Sequence, residues 1–192
     1  MDVGVVLGRS LCTSPGELAG FAQEAERRGY ESLWVTEHIA IPVEFKSRYP
    51  YSPDGRPTWN HEAEWTEAMV TLGFLAAVTR TARLGTSVIP LTCRDPLSLA
   101  KQAATVDVLS QGRLELGIGA GWLLEEAEVL GHPTDHRAAR LEETVEILRR
   151  AWRERSFSFE GEHYRLPEVG VHPQPVQRDQ VPIWIGGTSP AA

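Results

Sequence analysis

Ser110-Gln111-Gly112-Arg113-Leu114-Glu115-Leu116-Gly117-Ile118-Gly119-Ala120-Gly121-Trp122 reads as a helix end, a turn, a short apolar strand and then a glycine-rich loop. Glycine at the carboxyl end of a strand leaves backbone bare, so a flat ligand can approach it closely. The spacing is Gly-x-Gly-x-Gly, with Trp122 and Leu124 where a dinucleotide fingerprint needs its third glycine. The loop therefore points to a cofactor site other than the usual nicotinamide one. Glycines after a strand also serve as plain turns, so the reading depends on the other strands.

Those strands alternate with helices along the chain. Residues 3–7, 32–35, 84–89, 114–118 and 183–187 carry short apolar or β-branched runs. Ser14-Pro15-Gly16-Glu17 reads as a capping box with proline at the first helical position, and Leu18, Phe21, Ala22 and Ala25 follow on one face. A helix is expected over about 61–79. Another begins at Asp95-Pro96, with Leu99, Ala103, Val106 and Leu109 inward. A third spans about 135–153 with Asp135 as its cap. Residues 157–166 read as a hairpin, and a long loop rich in proline and aromatics covers about 39–60. Strict alternation predicts parallel strands with right-handed crossovers, either an open doubly wound sheet or a (β/α)₈ barrel. Unusual groups at several strand ends (Glu37-His38, Ser87-Val88-Ile89-Pro90, the glycines of 117–121, Gly186-Gly187-Thr188-Ser189) favour the barrel.

Composition narrows the function. The 192 residues suffice for one sizeable core and a single domain; 42% are hydrophobic and 23% charged, as in a soluble globular protein. The net charge of −7 and the lack of a basic run argue against nucleic acid and membrane surfaces as partners. Cys12 and Cys93 form no Cys-x-x-Cys motif, and the amino terminus enters a strand without a basic leader, so a reduced cytoplasmic setting is expected. No metal site is expected. His61-Glu62-Ala63-Glu64-Trp65 lacks the second histidine of a zinc helix, and His132 and His136 are separated by Pro133.

Assembled in order, Gly29-Tyr30-Glu31-Ser32-Leu33-Trp34-Val35-Thr36-Glu37-His38, Arg83-Leu84-Gly85-Thr86-Ser87-Val88-Ile89-Pro90, Leu99-Ala100-Lys101-Gln102, residues 107–122 and Pro182-Ile183-Trp184-Ile185-Gly186-Gly187 resemble the luciferase-like monooxygenase superfamily, and within it the coenzyme F420-dependent oxidoreductases. The segments are collinear and cover nearly the whole chain. The resemblance implies a (β/α)₈ barrel of the bacterial luciferase type, with a flavin or deazaflavin across the strand ends. Such barrels run to ~250 residues or more. Only about the first five strands are therefore expected here, and the chain is expected to be either a fragment or a shortened, non-catalytic relative.

The resemblance also assigns roles. His38 is expected beside the reacting ring of the cofactor, where imidazole can stabilise charge or relay a proton. Glu37 is expected near the cofactor or in a structural ion pair, since strand alternation turns it away from His38. Ser87 and Val88 fall where the family has a bulge with a non-proline cis peptide under the cofactor. Gly117, Gly119 and Gly121 are expected against the ring, and Gly186, Gly187 and Thr188 near its phosphate, at a helix start that suits an anion. Trp122 stands where some F420-dependent enzymes carry a carboxylate acid, which removes the proton donor and disfavours the sugar-phosphate dehydrogenase branch. Trp122 is instead expected to wall the pocket with Tyr51 and Trp59, the latter two on a loop placed to act as a lid with Arg48 and Tyr49. Arg94, Asp107 and Arg113 are expected in caps and ion pairs. The expected cofactor is F420, with FMN and molecular oxygen as the alternative. The expected partner is a small organic substrate, with a homodimer possible.

Overall fold

In a computed structural model, the structure describes residues 3–187. Five parallel tracks form its sheet. They are β1 (Gly4–Val6), β2 (Ser32–Val35), a third split into β3 (Arg83–Thr86) and β4 (Ile89–Pro90), then β5 (Leu114–Gly119) and β8 (Ile183–Gly186). β1 pairs β2, β2 pairs β3, both β3 and β4 pair β5, and β8 lies on the far side of β5. Spatial order thus follows chain order. A doubly wound sheet reverses its order at a switch point, whereas a barrel adds each strand beside the last; the barrel expectation is the one met. Between β5 and β8 runs an antiparallel hairpin of β6 (Phe157–Glu160) and β7 (Arg165–Val169).

The outer layer comprises α1 (Arg9–Cys12), α2 (Pro15–Arg27), α3 (Ala68–Val78), α4 (Pro96–Leu109), α5 (Leu124–Val129) and α6 (Arg137–Arg153). Leu18, Ala22 and Ala25 of α2, Leu72 and Leu75 of α3, Leu99 and Ala103 of α4, and Leu148 and Trp152 of α6 are buried in one hydrophobic core with the strands. Trp152 is fully enclosed, and its indole N–H donates to the carbonyl of Ala100 at 3.0 Å. Phe21 and Leu109, expected inward, lie exposed at the margins of their apolar stripes. Val6 on β1, and Trp184 and Ile185 on β8, are also exposed at the two sheet edges.

Several boundaries differ from expectation for local reasons. α3 begins at Ala68 rather than near 61, because the Glu67 carboxylate caps it, accepting from Val70 N at 2.6 Å. α6 begins after His136, which occupies the cap in the left-handed region (φ 49°), rather than at Asp135. Ser14 stands at the cap of α2 without a side-chain hydrogen bond; Pro15 fills the first helical position. The short helices α1 and α5 were not expected. Arg113 caps the end of α3 through the carbonyls of Ala76 and Thr79, and the buried Asp107 accepts from the backbone and side-chain N–H groups of Gln177, which ties α4 to the loop before β8.

The expected single strand over 84–89 is interrupted. Gly85 pairs with Glu115 and Ile89 with Ile118, so three residues, 86–88, face two, 116–117. That is a β-bulge. It contains a cis peptide bond between Ser87 and Val88. Thr86 locks its base, its hydroxyl donating to Gly117 O at 2.7 Å and accepting from Gly117 N at 2.9 Å. A Cβ at position 117 would stand 1.8 Å from the Thr86 carbonyl oxygen.

Two predictions follow from this packing. Gly117→Ala must displace backbone and should cost about 3 kcal/mol or more, whereas Gly20→Ala, in open space inside α2, should gain up to about 1 kcal/mol; urea midpoints read both. Glu26 forms a cradle under the turn before β3, accepting from the amides of Arg80, Thr81 and Ala82. Burial alone would raise its pKa, but these three donors hold it below the ordinary value of 4.5. Its stabilisation is therefore complete above that value and lost as pH falls through the folded one. Glu26→Gln should cost about 1–2 kcal/mol at pH 7, with the difference from the parent narrowing in acid unfolding curves.

Candidate active site

The strand ends and the loop after β2 enclose a cavity of about 770 Å³. Its floor is the bulge and the tips of β5 and β8: Ser87, Val88, Pro90, Gly119, Gly186 and Gly187. A Cβ on Gly119 would meet Val88 at 3.0 Å, and one on Gly186 would meet it at 2.9 Å. These two glycines thus make room first for Val88, which the bulge carries to the cavity. Gly121 (φ +77°) turns the chain over Thr92 and also borders the cavity. Gly117 does not border it; it lies beneath the bulge, facing Thr86. Of the strand-end residues expected at a phosphate, Gly187 borders the cavity, while Thr188 and Ser189 lie outside the described residues.

Alternation after β2 sends Glu37 and His38 to different partners. Glu37 is buried, and both its oxygens accept from Arg94 Nη2 at 2.7 and 2.8 Å; one also accepts from Ala68 N at 2.8 Å, which ties β2 to the start of α3. Arg94 bridges on to Glu67 at 2.6 Å. Burial would lower the Arg94 pKa, but the two facing carboxylates hold it above its ordinary value. Glu37 borders the cavity, with its charge already met from behind. Of the alternatives for Glu37, the geometry is that of a structural ion pair.

His38 has a 9% exposed side chain and lies within hydrogen-bonding range of Glu126, Nδ1 to Oε2 at 2.7 Å. The other Glu126 oxygen accepts from the backbone N–H groups of Ile39 at 2.6 Å and Ala40 at 3.1 Å. A carboxylate with every oxygen engaged as acceptor makes Nδ1 the donor, which leaves Nε2 as the ring nitrogen free for a ligand. Glu126 is 88 positions from His38 and was not read from the sequence. The available signal was the acidic pair Glu125-Glu126 in the first turn of α5. Its neighbour Glu125 accepts from Lys46 N at 2.7 Å and Ser47 N at 3.1 Å, so the two acids together hold the 39–60 loop over the cavity.

Around the imidazole stands an aromatic wall. Ring centroids of Trp59, Trp65 and Trp122 lie 4.7, 5.1 and 5.9 Å from that of His38, and Tyr49 lies 5.2 Å from Trp122. Trp122 and Trp59 border the cavity, with Tyr51 at its exposed rim; Trp65 and Arg137 border it too and were not singled out from the sequence. Among the described residues no group of three or more His, Cys, Asp or Glu is arranged to hold a metal, and no helix is long and apolar enough to cross a membrane.

Glu126→Ala would leave the imidazole and two backbone N–H groups without their acceptor. A loss of roughly 2–4 kcal/mol is expected, with the Ile39 and Ala40 amides exchanging faster than those of β5; hydrogen exchange read by NMR checks both.

Comparison with known proteins agrees with this geometry. The luciferase-like monooxygenase family matches over residues 3–192. An F420-dependent glucose-6-phosphate dehydrogenase of Kineococcus radiotolerans is 36% identical over 181 residues, which is 92% of this chain and 48% of that protein. An uncharacterized protein of Mycobacterium bovis is 36% identical over 171 residues, 89% of this chain and 59% of its own length. Among solved structures, a monooxygenase from Streptomyces bottropensis superposes with a TM-score of 0.74 at 27% identity, over 96% of this chain and 53% of that one. The chain thus spans about half the length of the relatives it matches. It belongs to the luciferase-like monooxygenase family.

Proposed function

We propose that this chain carries the cofactor half of an oxidoreductase that moves a hydride between coenzyme F420 and a small organic substrate, in the cytoplasm. The observation that carries the reading is His38, fixed by Glu126, at the edge of a cavity floored by the Ser87–Val88 bulge and the tips of β5 and β8. A volume of about 770 Å³ is ample for a tricyclic ring and a small substrate together. The sparse polarity of the floor suits a flat conjugated ring better than a sugar. F420, when bound, supplies a two-electron hydride carrier. In this reading Ser87, Val88, Gly119 and Gly121 border the ring, Gly186, Gly187 and Thr188 its phosphate-bearing side chain, and Trp122, Trp59 and Tyr51 the substrate. His38 Nε2 gives or takes the proton that accompanies the hydride.

The naming of the Kineococcus relative supports F420. Its sugar phosphate is not carried over, because Trp122 stands where some F420-dependent enzymes hold a carboxylate. FMN-dependent monooxygenation is the second reading, favoured by the likeness to the Streptomyces bottropensis monooxygenase.

Titrating the purified chain with F420 and FMN side by side, by ligand fluorescence, separates these readings. Saturation by F420 at one site per chain, weakened about tenfold or more by His38→Ala or Gly187→Trp, is the expected result. Tighter binding of FMN would select the monooxygenase reading, and binding of neither would overturn both enzyme readings for this chain.

A further inference from the structure

The charged groups that line the cavity are unevenly partnered. They are the carboxylates of Glu37 and Glu126 and the guanidinium groups of Arg48 and Arg137, beside the imidazole of His38 and the phenols of Tyr49 and Tyr51. Both carboxylates are engaged internally, Glu37 with Arg94 and Ala68 N, Glu126 with His38, Ile39 N and Ala40 N. The two guanidinium groups are not. Arg48 donates to the Asp54 carbonyl at 3.3 Å and Arg137 to the Gly121 carbonyl, and neither has a carboxylate partner among the described residues. Each guanidinium carries five donors. In a chain of net charge −7, the cavity therefore keeps two guanidinium groups that no carboxylate of the described residues meets. Such an arrangement draws in anions and holds them with charge-assisted hydrogen bonds.

The wall beside these cations is aromatic. Trp122 meets Tyr49 at 69°, Trp59 at 64° and His38 at 86°, and Trp59 meets Trp65 at 83°. None of these contacts is a parallel stack; the rings meet edge to face and brace one another as a wall. The indole N–H of Trp65 is buried in the same wall without an acceptor among the described residues. A polyhydroxylated ligand would lose hydrogen bonds to water against such a wall without regaining them.

We propose that the cavity takes a flat conjugated molecule bearing an anionic group, such as an aromatic carboxylate or phenolate. Its ring lies against Trp59 and Trp122 and its anion faces Arg48 and Arg137. Calling this ligand the substrate rests on the redox reading above; its recognition does not. The anionic side chain of a bound cofactor offers the same chemistry to the two arginines, and the test distinguishes the two sources.

Isothermal titration of the whole chain with 2-naphthoate, 2-naphthamide, decalin-2-carboxylate and glucose 6-phosphate, each with and without saturating F420, decides the matter. Naphthoate should bind at one site. The neutral amide and the non-planar acid should each bind about tenfold more weakly, and glucose 6-phosphate not measurably. Arg48→Gln, at the exposed rim, and Trp59→Ala should each weaken naphthoate about fivefold or more with an unchanged circular dichroism spectrum. Naphthoate that binds while F420 does not would sink the hydride-transfer reading and leave this one standing. Equal binding of naphthamide or of glucose 6-phosphate, indifference to Arg48→Gln, or no binding by any probe would overturn the proposal. So would displacement of naphthoate by F420, which would assign the arginines to the cofactor.

Discussion

The backbone of Thr86 lies so close to the Cα of Gly117 that any side chain there would collide with its carbonyl. Much of the cavity depends on that approach. It lets the third track of the sheet carry one residue more than its neighbour while Thr86 keeps the ladder closed with a reciprocal pair of hydrogen bonds to Gly117. The extra residue brings Val88 to the cavity, where Gly119 and Gly186 leave space for its methyl groups. Three glycines on two neighbouring strands thus accommodate one bulge, and the floor of the cavity is the result.

Above that floor, charge does the positioning. Consecutive residues at the end of β2 reach opposite counterparts, Glu37 meeting a cation and His38 an anion. Each pair also satisfies backbone amides that begin a new segment: Ala68 at the start of α3 for Glu37, Ile39 and Ala40 at the start of the loop for Glu126. Buried charges persist where they are both paired and hydrogen-bonded. Here the same bonds fix where the loop leaves the sheet, so the aromatic wall that the loop carries is set by the contacts that orient the imidazole. Arg48 and Arg137, which also line the cavity, meet no carboxylate among the described residues.

The readable part of this protein was the part governed by short-range pattern. Alternating strands and helices, proline at the starts of α2 and α4, and glycines at strand tips are visible within windows of a few residues, because they follow from backbone geometry and hydrophobic period. His38, Trp122 and the Ser87–Val88 position were singled out through collinear resemblance. Where local pattern misled, a nearby side chain had decided otherwise. Glu67 set the start of α3, and the left-handed His136 displaced Asp135 from the cap of α6. Gly117, expected against the cofactor ring, lies beneath the bulge, where the Thr86 carbonyl of the neighbouring strand leaves no room for a Cβ.

The sequence by itself determined a parallel α/β chain with chemistry gathered at its strand ends, because period and turn residues are local properties of the polymer. Tertiary structure alone decided which partner each of these carboxylates holds. Glu126 reaches His38 across 88 positions and Glu37 reaches Arg94 across 57. No spacing encodes those choices; they arise when separate loops are brought over the same strand ends, and a buried charge pairs with whichever counter-charge packing sets within reach.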